Sequence, residues 1–208
     1  VSQPFNRACK VPAPGDPDRE LGEFWVASPW DISTKHNLSA YERNRMFWNV
    51  AGGNFLDIST LTGTDSDGDG RSSVAADFDG DGRLDLVVRQ SGGGPFLLFK
   101  NQFPQRHWLA VTLRGVKSQR QGIGARLTAV AGGRRIVREM NLINSYYSRT
   151  PAVVHFGLGD ATRIDRLEIE WPSGETQELT DLDGDRHVVI QEGASNVDTV
   201  QRGQTIAP

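Results

Sequence analysis

The residues best suited to chemistry lie in Asp77-Phe78-Asp79-Gly80-Asp81-Gly82-Arg83-Leu84-Asp85, which leads directly into Leu86-Val87-Val88. Asp77, Asp79, Asp81 and Asp85 stand at relative positions 1, 3, 5 and 9. Alternate residues of a tight loop can aim inward, and glycines such as Gly80 and Gly82 permit the backbone turns that bulkier residues resist. An oxygen-only donor set of this kind suits Ca²⁺, which takes six to eight oxygens from a flexible loop. The carbonyl of Arg83, at position 7, is the expected backbone ligand. A plain solvated Asp/Gly turn is the alternative, but four carboxylates this close repel one another without a cation.

An EF-hand opens with the same D-x-D-x-D-G, but it needs a glutamate at position 12 and a following helix. Here position 12 is Val88, and Leu84 to Val88 reads as a β-strand. A short acidic loop running straight into a strand resembles the cation loop of FG-GAP/VCBS repeats, the blade unit of integrin-type propellers. Asp65, Asp67 and Asp69 form a weaker second candidate, because Ser73 occupies position 9. Asp181, Asp183 and Asp185 form a third, in which Arg186 replaces the glycine and a turn between strands is explanation enough.

The elements around the loop are short strands. Residues 1–40 contain Pro4, Pro12, Pro14, Pro17 and Pro29 and read as an extended arm. Residues 41–104 repeat a strand–glycines–strand pattern, first from Tyr41 to Ile58 around Gly52-Gly53, then from Leu86 to Lys100 around Gly92-Gly93-Gly94. From 105 to 193, Leu109, Val111 and Leu113 alternate with Ala110 and Thr112, and Leu167, Ile169 and Trp171 alternate with Arg166, Glu168 and Glu170. Period two with one buried face predicts strands there. Further strands are expected at 125–130, 135–140, 153–158, 176–179 and 187–191. The fold class is therefore all-β: a blade-like unit, then an antiparallel β-sandwich. Residues 194–208 read as a polar tail.

Within the second region, His107-Trp108-Leu109, Gly115 to Ala125, Val137-Arg138-Glu139, Ser145-Tyr146-Tyr147-Ser148, Val154 to Gly159 and Glu170 to Gly174 occur in order. This succession resembles the ASPIC/UnbV domain, found after FG-GAP repeats in secreted proteins related to cartilage acidic protein. Gln119 and Gly122 stand where that family usually has Asn and Ala. Relatives of this kind typically carry a full propeller, whereas this chain has room for one or two blades and cannot close a ring.

Composition narrows the function classes. The formal net charge of −3 gives no bulk attraction to nucleic acid. No apolar run approaches the roughly 18 residues of a membrane span. Between Gln105 and Thr150 there are eight Arg and one Lys against Glu139 alone, which predicts a basic patch that is either a set of solvated strand faces or a docking surface. Cys9 is the single cysteine, so no internal disulfide forms. The start at Val1 suits a processed chain or a fragment. Weak Asp loops fill where Ca²⁺ is millimolar, so a periplasmic or extracellular setting is expected.

His36, His107, His155 and His187 show no metal-ligand spacing, and no G-x-S-x-G or complete dinucleotide fingerprint is present. The expectation is a non-catalytic, calcium-stabilised interaction module, an accessory subunit of a larger assembly, which can be membrane-associated. The rival is a carbohydrate-binding adhesin, or an accessory part of a carbohydrate-active enzyme, with Trp25, Trp30, Trp48, Trp108 and Trp171 as stacking faces. Against it, Trp108 and Trp171 fall on core-phase strand positions or in the matching stretches.

Phe5, Phe24, Trp25 and Trp30 on the arm are large apolar groups without a local partner, and such anchors commonly dominate binding. The arm is expected to lie extended across a partner subunit. Deleting residues 1–30 should abolish association, read by co-purification, with the melting transition almost unchanged. A collapsed transition would instead place the arm in this protein's own core.

Overall fold

The computed structural model describes residues 43–50, 53–66, 70–90, 95–143, 145 and 148–200. The chain forms two compact units. Of the described residues, the first contains those up to 72 and those from 88 to 97, the second those from 73 to 87 and those from 98 to 200. The sequence pattern assigns the acidic loop to a repeat unit spanning 41–104. By its contacts in space, the loop of residues 77–85 groups with the second unit.

In the first unit, β1 (Phe47–Asn49) and β2 (Phe55–Asp57) form an antiparallel hairpin with Trp48 opposite Leu56. It closes where the Val50 N–H donates to the Asn54 carbonyl (2.9 Å). One helical turn, α1 (Ser59–Thr62), follows. The Asp57 carboxylate accepts the Ser59 N–H (3.0 Å), and the buried Ser59 hydroxyl accepts the Met46 N–H (2.7 Å). A turn fixed by side-chain bonds needs no helical periodicity, so none is visible in the sequence.

A three-stranded sheet in the order β3 (Gly70–Ala76), β4 (Asp85–Gln90), β5 (Leu97–Phe99) carries the acidic loop between its first two strands. The ends of β3 and β4 nearest the loop belong to the second unit.

The second unit is built on a sandwich. One sheet has the order β11 (Thr176–Asp183), β10 (Arg163–Glu170), β7 (Arg126–Ala131), β8 (Arg134–Glu139), all antiparallel. The other has the order β13 (Val197–Thr199), β12 (Arg186–Gln191), β6 (His107–Arg114), β9 (Val154–Gly159). Leu109, Val111 and Leu113 of β6 meet Leu127 and Ala129 of β7, Phe156 and Leu158 of β9, and Leu167 and Ile169 of β10 in one core. The two-residue alternation of these strands sends those side chains inward. β13 extends the sandwich into residues expected to form a polar tail, pairing Ile190 with Val197.

The pairing of β12 with β6 is parallel, in a sandwich expected to be antiparallel throughout. Acids fix both ends of this pair. Where the two strands begin, the Asp185 N–H donates to the Trp108 carbonyl (2.6 Å), and its carboxylate accepts from His107 Nδ1 (2.7 Å) and the Trp108 N–H (3.3 Å). Asp185 sits at φ 57°, a left-handed conformation that an aspartate tolerates better than most residues. Where they end, the Glu192 N–H donates to the Arg114 carbonyl (2.8 Å). The buried Glu192 carboxylate accepts the N–H groups of Val116 (2.6 Å), Lys117 (2.7 Å) and Ser118 (2.8 Å), with the hydroxyls of Ser118 (2.8 Å) and Ser173 (2.6 Å).

Burial alone would raise the Glu192 carboxyl. The bonds from the Ser118 N–H, the two serine hydroxyls and the Val116 N–H outweigh it and hold the group at about 2. A folded value below the ordinary 4.5 means the unfolded chain takes up the proton first. This contribution to stability is complete above pH 4.5 and should be lost as pH falls toward 2. Glu192→Gln turns an amide NH₂ toward donors, and should cost about 3 kcal/mol in urea denaturation. The variant should also lack the acid-side loss in that window.

Candidate metal centre

The loop from Asp77 to Leu84 joins β3 to β4, and its turns are held by its own carboxylates. The Asp77 carboxylate accepts the N–H groups of Asp81 (3.0 Å) and Gly82 (2.8 Å). Asp79 accepts the Asp81 N–H (3.2 Å), and Asp81 accepts the Arg83 N–H (2.9 Å). Gly80 and Gly82 take φ of 73° and 88°, the left-handed backbone that lets the loop double back. One oxygen each of Asp77, Asp79 and Asp81 can be chosen so that all three lie within 4.8 Å of one another.

Two cations of the chain share this charge. Arg83 reaches back to Asp81 through Nε (3.1 Å), and Lys100 pairs with Asp79. The Arg83 bonds hold the Asp81 carboxyl below its ordinary value, and Asp79 raises the Lys100 ammonium. Converging, oxygen-only donors fit a hard cation such as Ca²⁺.

Asp85, the fourth carboxylate of the sequence pattern, stands outside this group of three. It is almost fully buried (4% exposed), and its two oxygens accept the N–H groups of Asn101 (2.8 Å) and Phe78 (3.4 Å). It braces the loop where β4 begins. Position 9 of the pattern therefore reads as well for a brace as for a ligand, which spacing alone does not separate.

The loop packs on the face of β6 and β9 that points away from the core. The Gly82 carbonyl accepts from His155 Nε2 (2.9 Å), which fixes the Nε2–H tautomer when the ring is neutral. The His155 ring lies in an offset stack on Trp108, centroids 5.9 Å apart and planes 7° apart. A methyl at Gly82 would come 1.9 Å from Trp108 Nε1, so only glycine fits. Trp108, which belongs to a matching stretch and is off the core phase of Leu109, Val111 and Leu113, lies on the outer face, half-buried, while Trp171 is 3% exposed. A cleft of about 1140 Å³ opens beside the loop, with Asp77, Trp108, His155 and His187 in its wall. The role of Trp108 and His155 against the loop is not visible in the sequence, which separates them from Gly82 by 26 and 73 residues.

Asp65 pairs with Arg43 (3.1 Å), while Asp67 and Asp69 lie outside the described residues. Asp181, Asp183 and Asp185 are taken up by Arg163 (3.4 Å), Arg186 (2.6 Å) and His107 (2.7 Å). Phe5, Phe24, Trp25 and Trp30 lie outside the described residues. The expected basic patch is partly neutralised by neighbouring acids: Arg106 pairs with Asp160, Lys117 with Glu175 and Arg126 with Glu170.

Burial pushes His155 below the ordinary histidine value of 6.5, against the opposing pull of the Gly82 carbonyl and Asp77. His187, whose Nε2 lies 2.8 Å from the Thr112 hydroxyl, is lowered by burial in the same way. The folded state thus resists protonation that the unfolded chain accepts. Stability should be full above pH 6.5 and decline as pH falls through the folded values. Thermal melts between neutral pH and about pH 5 should show this loss, and His155→Gln should reduce it.

Comparison with known protein families agrees with this architecture. Residues 31–88 match the FG-GAP-like repeat, and residues 115–197 match the family described as ASPIC and UnbV. None of the curated proteins matches the chain. FG-GAP-like repeats are typically extracellular and often mediate protein interactions. Among the described residues no helix is long and apolar enough to cross a membrane.

Proposed function

We propose that this chain, an FG-GAP-like repeat followed by an ASPIC/UnbV domain, is a non-catalytic interaction module stabilised by Ca²⁺ outside the cytoplasm. It serves as an accessory subunit of a larger assembly. Asp77, Asp79 and Asp81 supply carboxylate ligands and the Arg83 carbonyl a backbone ligand, with Asp85 bracing the loop from behind. A bound cation cancels the mutual repulsion of the carboxylates and ties β3 to β4.

The observation that carries the interaction reading is the β1–β2 hairpin. All six residues of its two strands are exposed, including Phe47 (58%), Trp48 (53%), Phe55 (63%) and Leu56 (51%). Apolar surface concentrated in this way marks a contact site more often than a solvated face. The sugar-binding alternative gains no support from Trp171 and Trp108. Trp171 is in the core and Trp108 is stacked on His155, so neither offers a free platform.

For the metal, chelation should lower the melting temperature and Ca²⁺ restore it. With a dissociation constant of about 10⁻⁴ M and about 10⁻³ M free Ca²⁺, the gain is roughly 1.4 kcal/mol. Asp79→Asn should abolish that response with little effect in EDTA. Asp85→Ala should cost about 1 kcal/mol with or without Ca²⁺, because it removes the acceptor of two part-buried N–H groups. Identical melts for chelated and Ca²⁺-loaded protein would sink the metal reading.

For the partner, a pull-down from native membranes read by mass spectrometry should recover a stoichiometric protein. Phe47→Ser with Phe55→Ser should lose it while the circular dichroism spectrum and melting transition hold. Recovery undiminished by the double variant would remove the hairpin from the interface.

A further inference from the structure

The peptide groups flanking Gly82 connect the acidic loop to the sandwich on both sides. The Gly82 N–H donates to the Asp77 carboxylate (2.8 Å), and the Gly82 carbonyl accepts from His155 Nε2 (2.9 Å). Gly82 is itself buried, at φ 88°, against the indole of Trp108. Trp108 is fixed in turn by its place in β6 and by the Asp185 carboxylate on its N–H (3.3 Å). The path from ligand carboxylate to sheet is therefore one glycine long. It belongs wholly to the second unit.

From this geometry we infer that His155 and Trp108 are positioning residues for the cation, and that the sandwich sets the affinity of the loop. The inference rests on the reading of Asp77, Asp79 and Asp81 as Ca²⁺ ligands. His155 holds the Gly82 carbonyl, and Trp108 limits how far the glycine can move toward the sheet. Together they fix the Gly82 N–H against Asp77, so that this carboxylate is aimed before the cation arrives. A group that orients a ligand from behind typically contributes about 10–100-fold in metal affinity. A loop left to itself would spend binding energy ordering these residues; a loop held on a sheet has that ordering done in advance. Because linkage is reciprocal, Ca²⁺ bound at the loop stabilises the sandwich as well.

The test uses the full chain, with Ca²⁺ affinity from calorimetry and Tb³⁺ luminescence excited through indole. Wild type should bind both ions, with Tb³⁺ emission sensitised by Trp108 and largely lost in Trp108→Phe. His155→Ala should weaken Ca²⁺ binding about tenfold. His155→Gln, which restores an N–H donor at similar reach, should recover most of that loss. Gly82→Ala, which perturbs the same junction from the loop side, should weaken binding at least as much while leaving the EDTA-state sandwich folded. That last variant keeps the test decisive if His155→Ala unfolds. Wild type that binds no Ca²⁺ overturns the metal reading and the inference with it. Wild-type binding with unchanged affinity in His155→Ala and Gly82→Ala overturns the inference alone.

Discussion

The fold of the second unit depends on keeping two strands parallel that are far apart in the chain, β6 ending at Arg114 and β12 beginning at Arg186. A parallel pair cannot be closed by a hairpin, so β6 and β12 need to be tied by other means. Side-chain carboxylates supply the ties. Asp185 joins the strands where they begin and Glu192 joins them where they end, each accepting main-chain N–H groups from beside the partner strand. Glu192 does more, because it gathers three successive N–H groups that the Gly115 turn would otherwise leave unmatched. A buried acid is costly unless its oxygens are satisfied, and here five donors satisfy them.

Fixing that pair decides what the outer face of its sheet can carry. Ala110 and Thr112 of β6 point away from the core yet are buried, at 6% and 8% exposure. Their small side chains leave room above the sheet, and the acidic loop stands there, with Trp108 and His155 forming the flat surface under Gly82. The requirement for glycine at position 82 thus has two independent sources. Its φ is left-handed, and the indole leaves no space for a β-carbon. Sequence reasoning finds the first from the D-G-D-G rhythm. The second is a contact between residues distant in the chain and leaves no local trace.

The same division separates the rest of what the sequence discloses from what it does not. The strands of the sandwich are legible because burial on one side imposes alternation: Leu109, Val111 and Leu113 announce β6, and Ile169 announces β10. Gly132-Gly133 and Pro172-Ser173-Gly174 mark turns because few other residues take those backbone angles. Parallel pairing leaves no such mark, because alternation is the same for either direction. Glu192 gives no signal of its own, since its partners at Val116 and Ser118 are 76 and 74 residues away and a glutamate after a strand is ordinary. The boundary between units is hidden for a related reason. The loop lies in the stretch that matches the FG-GAP-like repeat, while its contacts in space group it with the second unit.

The charges of the loop are balanced from within the chain. Four carboxylates, Asp77, Asp79, Asp81 and Asp85, are met by Arg83 and Lys100 and by main-chain N–H groups. The two cations are partly exposed, and such pairs contribute little to stability in water. Their use is to keep the carboxylates near one another without forcing protonation. Under the proposed reading, an arriving Ca²⁺ competes with two flexible side chains that can swing into solvent, and the main-chain bonds to Asp77 stay in place. The ion then acts as an exchangeable strengthener of a loop already formed, not as the nucleus around which it folds. That role suits a module whose sandwich core lies on the other side of the sheet from the loop: β6 and β9 close on Leu109, Val111 and Phe156 there.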